Sequence, residues 1–140
     1  MPSIEPTPSQ LEALAERAAT LSGPIRMVNL LRFREVADYG DAPDPGAGGP
    51  STGAEAYGRY GEIAMKEVAA VGGSQFEAAV GQMTVIGPED DVWDLVAIIE
   101  YPSPSAFLEM IAKPSYQAGI HHRTAGLADT RIYMTTSLLR

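Results

Sequence analysis

The sequence predicts an α+β domain in which a four-stranded antiparallel sheet carries helices on one face. Three observations predict it: the order of helical and strand patterns, a cross-strand pairing that two of the strands permit, and the apolar character of both faces of those strands. The chain has 140 residues and no cysteine. That length suits one domain over residues 1–140, without disulfides or thiolate metal ligands.

The helices are predicted from their capping signals. A capping box over residues 7–10, with proline at the first helical position, predicts an N-terminal helix over 8–22. A second capping box at 52–55 begins a helix on which Arg59 lies four residues after Glu55, the spacing of an ion pair. Further helices are predicted to begin at 103 and at 114, the latter reaching about residue 127.

The strands are predicted from apolar and β-branched runs between turn signals. They cover residues 25–34, 75–86, 92–101 and 130–139, and the middle two are joined as a hairpin by residues 87–91. After the first helix the order is therefore β-α-β-β-α-β, which is the ferredoxin-like order, over a core of residues 25–139.

The first and third strands lie side by side in this topology, so their register can be tested. When residues whose numbers sum to 126 are paired, Arg26 meets Glu100 and Arg32 meets Asp94, with apolar pairs between them. The opposite face then pairs Phe33 with Trp93, which we expect to be core aromatics. The alternative is that the charges lie at solvated strand ends.

Both faces of these two strands are apolar over their middle, and the two helices of the motif can cover only one. The other face would expose an apolar patch larger than monomers usually show. We therefore expect a homodimer through the open face of the sheet, which forms a barrel-like pair. The alternative cover is the N-terminal helix, 8–22.

Residues 35–52 are rich in glycine, proline and acidic residues and have no periodicity, which predicts a long loop insertion. Asp38, Asp41 and Asp44 lack the spacing of a calcium loop, and we expect them to be solvated charges.

Net charge and hydropathy exclude several classes of partner. The formal charge is −8 and no run of lysine or arginine is present, so nucleic acid is not expected to bind. No apolar stretch approaches the ~20 residues that span a bilayer, and the N-terminus lacks a signal-peptide pattern. We expect a cytoplasmic protein with no membrane partner.

Short motifs resemble a known family. The run 27–33 resembles the first-strand signature of the bacterial domain of unknown function 1330 family, and residues 100–103, 114–116 and Arg123 resemble its strand–helix–helix signature. This family lies within the dimeric α+β barrel superfamily. The resemblance implies the fold and the dimer from about Ile25 onwards, but no reaction, because the family is uncharacterised.

Four polar residues are candidates for ligand binding: Asn29, Tyr60, His122 and Arg123. Asn29 lies within an apolar strand opposite Ala97, which leaves room for a ligand, although backbone or water can also satisfy the amide.

The other three candidates also have structural alternatives. Tyr60 shares a helical stripe with Tyr57, and core packing is the default for such a stripe. Arg123 suits either a ligand carboxylate or a protein carboxylate such as that of Glu100. His121 and His122 point about 100° apart on a helix, so a metal pair is not expected; either is an acid–base candidate or a surface residue.

The functional prediction is an uncharacterised protein that binds a small organic ligand between sheet and helices, with or without cofactor-independent catalysis. The alternative is a non-catalytic dimeric scaffold or regulatory module, and haem handling is a third, weaker possibility. The sequence has no nucleophile elbow or phosphate loop, and we expect neither cofactor nor metal.

Overall fold

The computed structural model describes residues 1–139. Its helices are α1 (Pro8–Thr20), α2 (Gly53–Ala70), α3 (Pro104–Ala112), α4 (Pro114–Gln117) and α5 (Ile120–Gly126). Its strands are β1 (Ile25–Phe33), β2 (Ser74–Val80), β3 (Leu95–Tyr101) and β4 (Leu127–Thr135). The four strands form one sheet in the order β2-β3-β1-β4, and each neighbouring pair is antiparallel. This is the predicted ferredoxin-like α+β fold with an additional N-terminal helix.

Both predicted capping boxes are present. The Thr7 hydroxyl accepts from the Gln10 amide at 3.1 Å at the start of α1, and Thr52 does the same for Glu55 at the start of α2. The Glu55 carboxylate returns to the Thr52 backbone N–H at 2.8 Å. It caps the helix in this way rather than pairing with Arg59 as predicted.

The predicted register of β1 on β3 is confirmed over the whole ladder, from Ile25 opposite Tyr101 to Leu31 opposite Leu95. Arg26 and Glu100 form the expected ion pair at 2.9 Å.

The second predicted charge pair, Arg32 with Asp94, is wrong. The ladder has ended there, and the Asp94 carboxylate accepts the Phe33 N–H at 2.8 Å, an amide that has no partner on β3. Arg32 instead donates from Nε to the Val92 carbonyl at 2.9 Å.

β2 and β3 pair antiparallel as predicted, but the short turn expected over residues 87–91 is wrong, because β2 ends at Val80 and β3 begins at Leu95. Residues 81–94, here called the arm, form a long connection instead. Gly81 explains the end of the strand. A Cβ there would overlap the Trp93 carbonyl oxygen, so the two ends of the arm approach each other more closely than paired strands do.

The two predicted core aromatics are only half-buried and do not pair. Phe33 packs on Tyr57 with ring centroids 5.4 Å apart. The Trp93 ring lies 5.0 Å from the Arg32 guanidinium and 5.3 Å from that of Arg131. These cation–π contacts fix the end of the arm against β1 and β4.

Two further boundaries differ from prediction. The single helix expected over 114–127 is broken between α4 and α5 by Ala118 and Gly119, where Gly119 lies against Ile63 of α2 so closely that a Cβ would be 2.9 Å from the Ile63 Cδ1. The last strand begins earlier and ends earlier than the expected 130–139.

The hydrophobic core lies between the sheet and the helices. Buried side chains of β1 and β3 meet those of α2, α3 and α4 there: Ile25, Met27, Ile99, Tyr101, Ala64, Val68, Ala106, Met110 and Tyr116. Helix α1 packs against α3 on this side of the sheet. It does not cover the open face, so the alternative cover is wrong.

The start of α2 and the end of α5 touch through two glycines, Gly53 and Gly126. A Cβ on Gly53 would overlap the Arg34 carbonyl oxygen, whereas nothing lies within 4 Å of a Cβ on Gly58 in the same helix. Gly53→Ala is therefore expected to lower the free energy of unfolding by about 1–3 kcal/mol through overpacking.

The matched control Gly58→Ala is expected to raise it by roughly 0.5–1 kcal/mol, because alanine is the better helix former. Urea unfolding of the two variants measures both changes. Equal effects of the two substitutions would contradict the close glycine contact.

Candidate functional site

Three tyrosines line the interior between the sheet and helices α2 and α4. The Tyr60 and Tyr116 hydroxyls are 2.7 Å apart, and the Tyr57 ring centroid lies 5.2 Å from that of Tyr60. We call Tyr57, Tyr60 and Tyr116 the tyrosine cluster. The edge-to-face contact of Tyr60 with Tyr116, with ring centroids 5.9 Å apart, is favourable for aromatic pairs.

The phenols of Tyr57 and Tyr60 are neutral at physiological pH. Burial raises the pKa of Tyr57 to about 12 and raises the pKa of Tyr60 further, helped by the neighbouring phenol of Tyr116. These two residues therefore offer O–H donors and aromatic rings rather than phenolates.

Arg123, on α5, carries a buried positive charge beside this cluster. The residue is only 8% exposed, and its charge opposes the rise in pKa of both Tyr57 and Tyr60. Its Nη1 donates to the Ile4 carbonyl at 2.6 Å. The ion pairs of residues 1–139 do not include Arg123, and Glu100, its expected partner, pairs with Arg26.

The segment that holds Arg123 runs along the edge of β4. The Thr130 amide donates to the Ser3 carbonyl at 2.9 Å, and the Ser3 amide donates to the Asp129 carboxylate at 2.8 Å. Ile4 follows directly, so its carbonyl is presented to Arg123 by backbone pairing.

Asn29 lies half-buried on β1, opposite Ala97 as predicted. Its Nδ2 donates to the Met27 carbonyl at 3.0 Å, so neighbouring backbone satisfies the amide donor. Within the described chain, no hydrogen bond joins Asn29 to the other three candidate residues.

The structure distinguishes the two histidines: His121 is exposed, and His122 is half-buried. His122 Nδ1 lies 2.8 Å from the Tyr39 hydroxyl, and the two imidazole rings are 4.0 Å apart. Burial, then the nearby His121 and Arg59, lower the pKa of His122 below its usual 6.5. The imidazole is therefore neutral at pH 7.

Four residues hold His122 in place. The sequence analysis did not identify Tyr39 and Ser51, and it assigned other roles to Asp44 and Arg59. Arg59 donates to the Tyr39 hydroxyl at 2.9 Å and to the Ser51 hydroxyl at 2.8 Å, and Ser51 donates to the Asp44 carboxylate at 2.6 Å. We call Tyr39, Ser51, Asp44 and Arg59, together with His122, the loop network.

The loop network corrects the prediction that Asp44 is a solvated charge. This carboxylate also accepts the Gly46 and Ser51 amides at 2.7 and 2.9 Å. These bonds lower the pKa of Asp44, with the Ser51 hydroxyl as the largest cause.

Two surface clefts of about 290 and 250 Å³ lie elsewhere. One is at the end of the sheet beside Arg26 and Glu100, and the other is lined by the arm. Neither is lined by the four candidate residues. Within residues 1–139, no three His, Asp or Glu side chains are grouped as a metal site requires, and no helix has the length and apolarity needed to span a membrane.

The chain is similar over almost its whole length to a crystal structure of RPA0582, a protein of unknown function from Rhodopseudomonas palustris. The two are 37% identical with a TM-score of 0.85, over 99% of this chain and 98% of the other. The chain belongs to the same family as RPA0582. A methylated form of that protein gives 38% identity and a TM-score of 0.82, over 98% of this chain and 96% of the other.

More distant structures share the ferredoxin-like fold. One is described as a dimeric protein of unknown function from Bacteroides fragilis, at 11% identity and a TM-score of 0.48, over 82% of this chain and 97% of the other. That likeness is too distant to bear on the assembly or activity of this chain.

No protein-family model matches the chain, so its resemblance to the domain of unknown function 1330 family is not confirmed. No curated protein matches it either.

Proposed function

We propose that the protein is a homodimer that binds a small aromatic organic anion between the sheet and the helices, beside Arg123 and the tyrosine cluster. The observation that carries the proposal is the buried guanidinium. Among residues 1–139 its one hydrogen bond goes to a neutral carbonyl, that of Ile4. A buried charge without a counter-ion is costly, and a carboxylate matches the forked donors of arginine.

The tyrosine cluster favours an aromatic ligand. Its rings supply edges and faces for stacking, and the neutral phenols of Tyr57 and Tyr60 can donate to a carboxylate or carbonyl oxygen. Tyr57 supports this role, because its hydroxyl makes no hydrogen bond within the described chain although its ring is packed among the others.

Asn29 and His122 are proposed as further ligand contacts. The amide oxygen of Asn29 makes no hydrogen bond within residues 1–139, and small Ala97 lies beside it on β3. His122 precedes Arg123 on α5, and its neutral imidazole, whose Nδ1 lies against the Tyr39 hydroxyl, can donate from Nε2 to a ligand oxygen.

A non-catalytic dimeric scaffold is the second candidate. It is favoured by the hydrogen bonds that Asn29 and Tyr60 already make within the protein, to Met27 and Tyr116 respectively. It differs from the first candidate in requiring no ligand.

The dimer is supported by the open face of the sheet. Val28, Leu30, Val96 and Ile98 remain half-buried there. Around them Phe76 is 55% exposed, Tyr133 is 74% exposed and Ile86 of the arm is 95% exposed. A second copy of this face would bury the patch.

Thermal unfolding with matched aromatic probes tests the binding proposal. Benzoate at about ten times its Kd is expected to raise Tm by several degrees, which corresponds to roughly 1.4 kcal/mol. Benzamide and benzylamine, which have the same ring without the negative charge, are expected to leave Tm unchanged. Equal shifts for all three, or no shift with any aromatic carboxylate, would remove the proposal.

A further inference from the structure

The insertion between β1 and α2 is a closed loop. Its two ends meet where the Ala37 amide donates to the Ser51 carbonyl at 2.9 Å. Beside this bond, the Asp38 amide donates to the Ala125 carbonyl of α5 at 2.9 Å. Within residues 37–51, the Asp44 carboxylate accepts hydrogen bonds from the Gly46 amide and from both the amide and the hydroxyl of Ser51. The loop therefore has a defined shape, and the Tyr39 side chain connects it to α2 and α5.

The hydrogen bonds around Tyr39 favour one direction, the one in which the phenol proton has a partner among the described residues. Arg59 can only donate, so the Tyr39 oxygen accepts from it at 2.9 Å. The single phenol proton of Tyr39 is then left for His122 Nδ1, 2.8 Å away. The reverse direction would put two N–H donors on the phenol oxygen and leave the phenol proton without a partner among the described residues. We therefore assign Nδ1 as the acceptor and His122 as the neutral tautomer with its proton on Nε2.

Protonation of His122 disfavours this arrangement, because it puts a second cationic N–H donor on the phenol oxygen beside Arg59 and leaves the phenol proton without a partner among the described residues. Among the described residues, the groups that face His122 include no negative charge that would stabilise its protonated form. They are the His121 ring on α5, the Tyr39 phenol from the loop and the Arg59 guanidinium from α2. Within the described residues, no carboxylate forms an ion pair with this imidazole.

We propose that Tyr39 is a pH-sensitive latch, so that protonation of His122 breaks its hydrogen bond and releases residues 39–50 of the loop from α5, while the backbone bond from Asp38 to Ala125 keeps the beginning of the loop in place. Asp44 and Ser51 keep Arg59 in place in either state, so the Tyr39–His122 bond is the one that opens. The proposal holds whether or not the site beside Arg123 binds an organic anion.

The pH range of the release follows from the direction of the shift. The pKa of His122 is lowered by burial, His121 and Arg59 from its unfolded value of 6.5. The unfolded chain therefore binds the proton first, and the stability supplied by the latch is complete above 6.5. It decreases as pH falls below 6.5 and is lost through the lower folded pKa.

Nuclear magnetic resonance of the imidazole nitrogens and amide hydrogen exchange test the latch together. Near pH 7.5 the spectrum is expected to show His122 with its proton on Nε2, and its titration midpoint is expected below 6.5. Amides of residues 39–50, corrected for intrinsic rates, are expected to exchange about tenfold faster near pH 5 than near pH 7.5.

Tyr39→Phe is expected to show the fast exchange at both pH values, whereas His121→Gln keeps the pH dependence. A proton on Nδ1 of His122 at neutral pH overturns the proposal. So does equal protection of the wild-type loop at both pH values, a result that needs no variant.

Discussion

Replacing Ile98 with lysine is expected to convert the protein from a dimer into a monomer. Ile98 lies on central strand β3, opposite Val28 on the open face. A symmetric pairing of this face would place two lysines in a desolvated interface, where a juxtaposition of like charges costs several kcal/mol. Light scattering after size exclusion is expected to give twice the chain mass of 14.9 kDa for the wild type and the single mass for Ile98→Lys.

Ala70→Lys is the matched control, because it adds the same charge at an exposed position at the end of α2. This variant is expected to remain dimeric. A monomeric wild-type protein at micromolar concentration, or an Ile98→Lys variant that still dimerises, would show that the open face is not the interface.

Arg123→Gln is expected to abolish the stabilisation by benzoate. Glutamine retains a donor for the Ile4 carbonyl but removes the buried charge. The loss of one partner from a buried charge pair costs about 2–5 kcal/mol, so the affinity is expected to fall by at least ~30-fold. Isothermal calorimetry measures this loss, and circular dichroism checks that the variant is folded.

Arg17→Gln on α1 is the control that removes the same charge from an exposed position. It is expected to bind benzoate as the wild type does. Undiminished binding by Arg123→Gln would mean that another cation recognises the ligand.

The sheet and the helix starts could be predicted because the residues that determine them are close in the sequence or alternate regularly along a strand. Alternation along β1 and β3 allows only one register to pair Arg26 with Glu100 while keeping Met27 and Leu31 on the helix side, and the structure has that register. The capping boxes at Thr7 and Thr52 likewise involve residues only three apart.

The end of β2 could not be predicted in the same way. Residues 82–86 have the composition of a strand, and the feature that ends pairing is the close passage of Gly81 over the Trp93 carbonyl, twelve residues away along the chain.

The candidate site was only partly predictable for a related reason. Tyr60 was identified from its helical stripe and Arg123 from the family resemblance, but the partner of Arg123 is a backbone carbonyl 119 residues away, which has no sequence signature. The loop network joins Tyr39 to His122 across 83 residues. Arg59 was misassigned because its spacing from Glu55 also fits an ordinary helical ion pair.

A crystal structure grown with the aromatic carboxylate that stabilises the protein most tests the binding proposal most directly. We expect the carboxylate within hydrogen-bonding distance of the Arg123 guanidinium and the ring of the ligand against Tyr57 and Tyr60. A ligand seated instead in the cleft beside Arg26, or an interior filled by protein side chains alone, would contradict it.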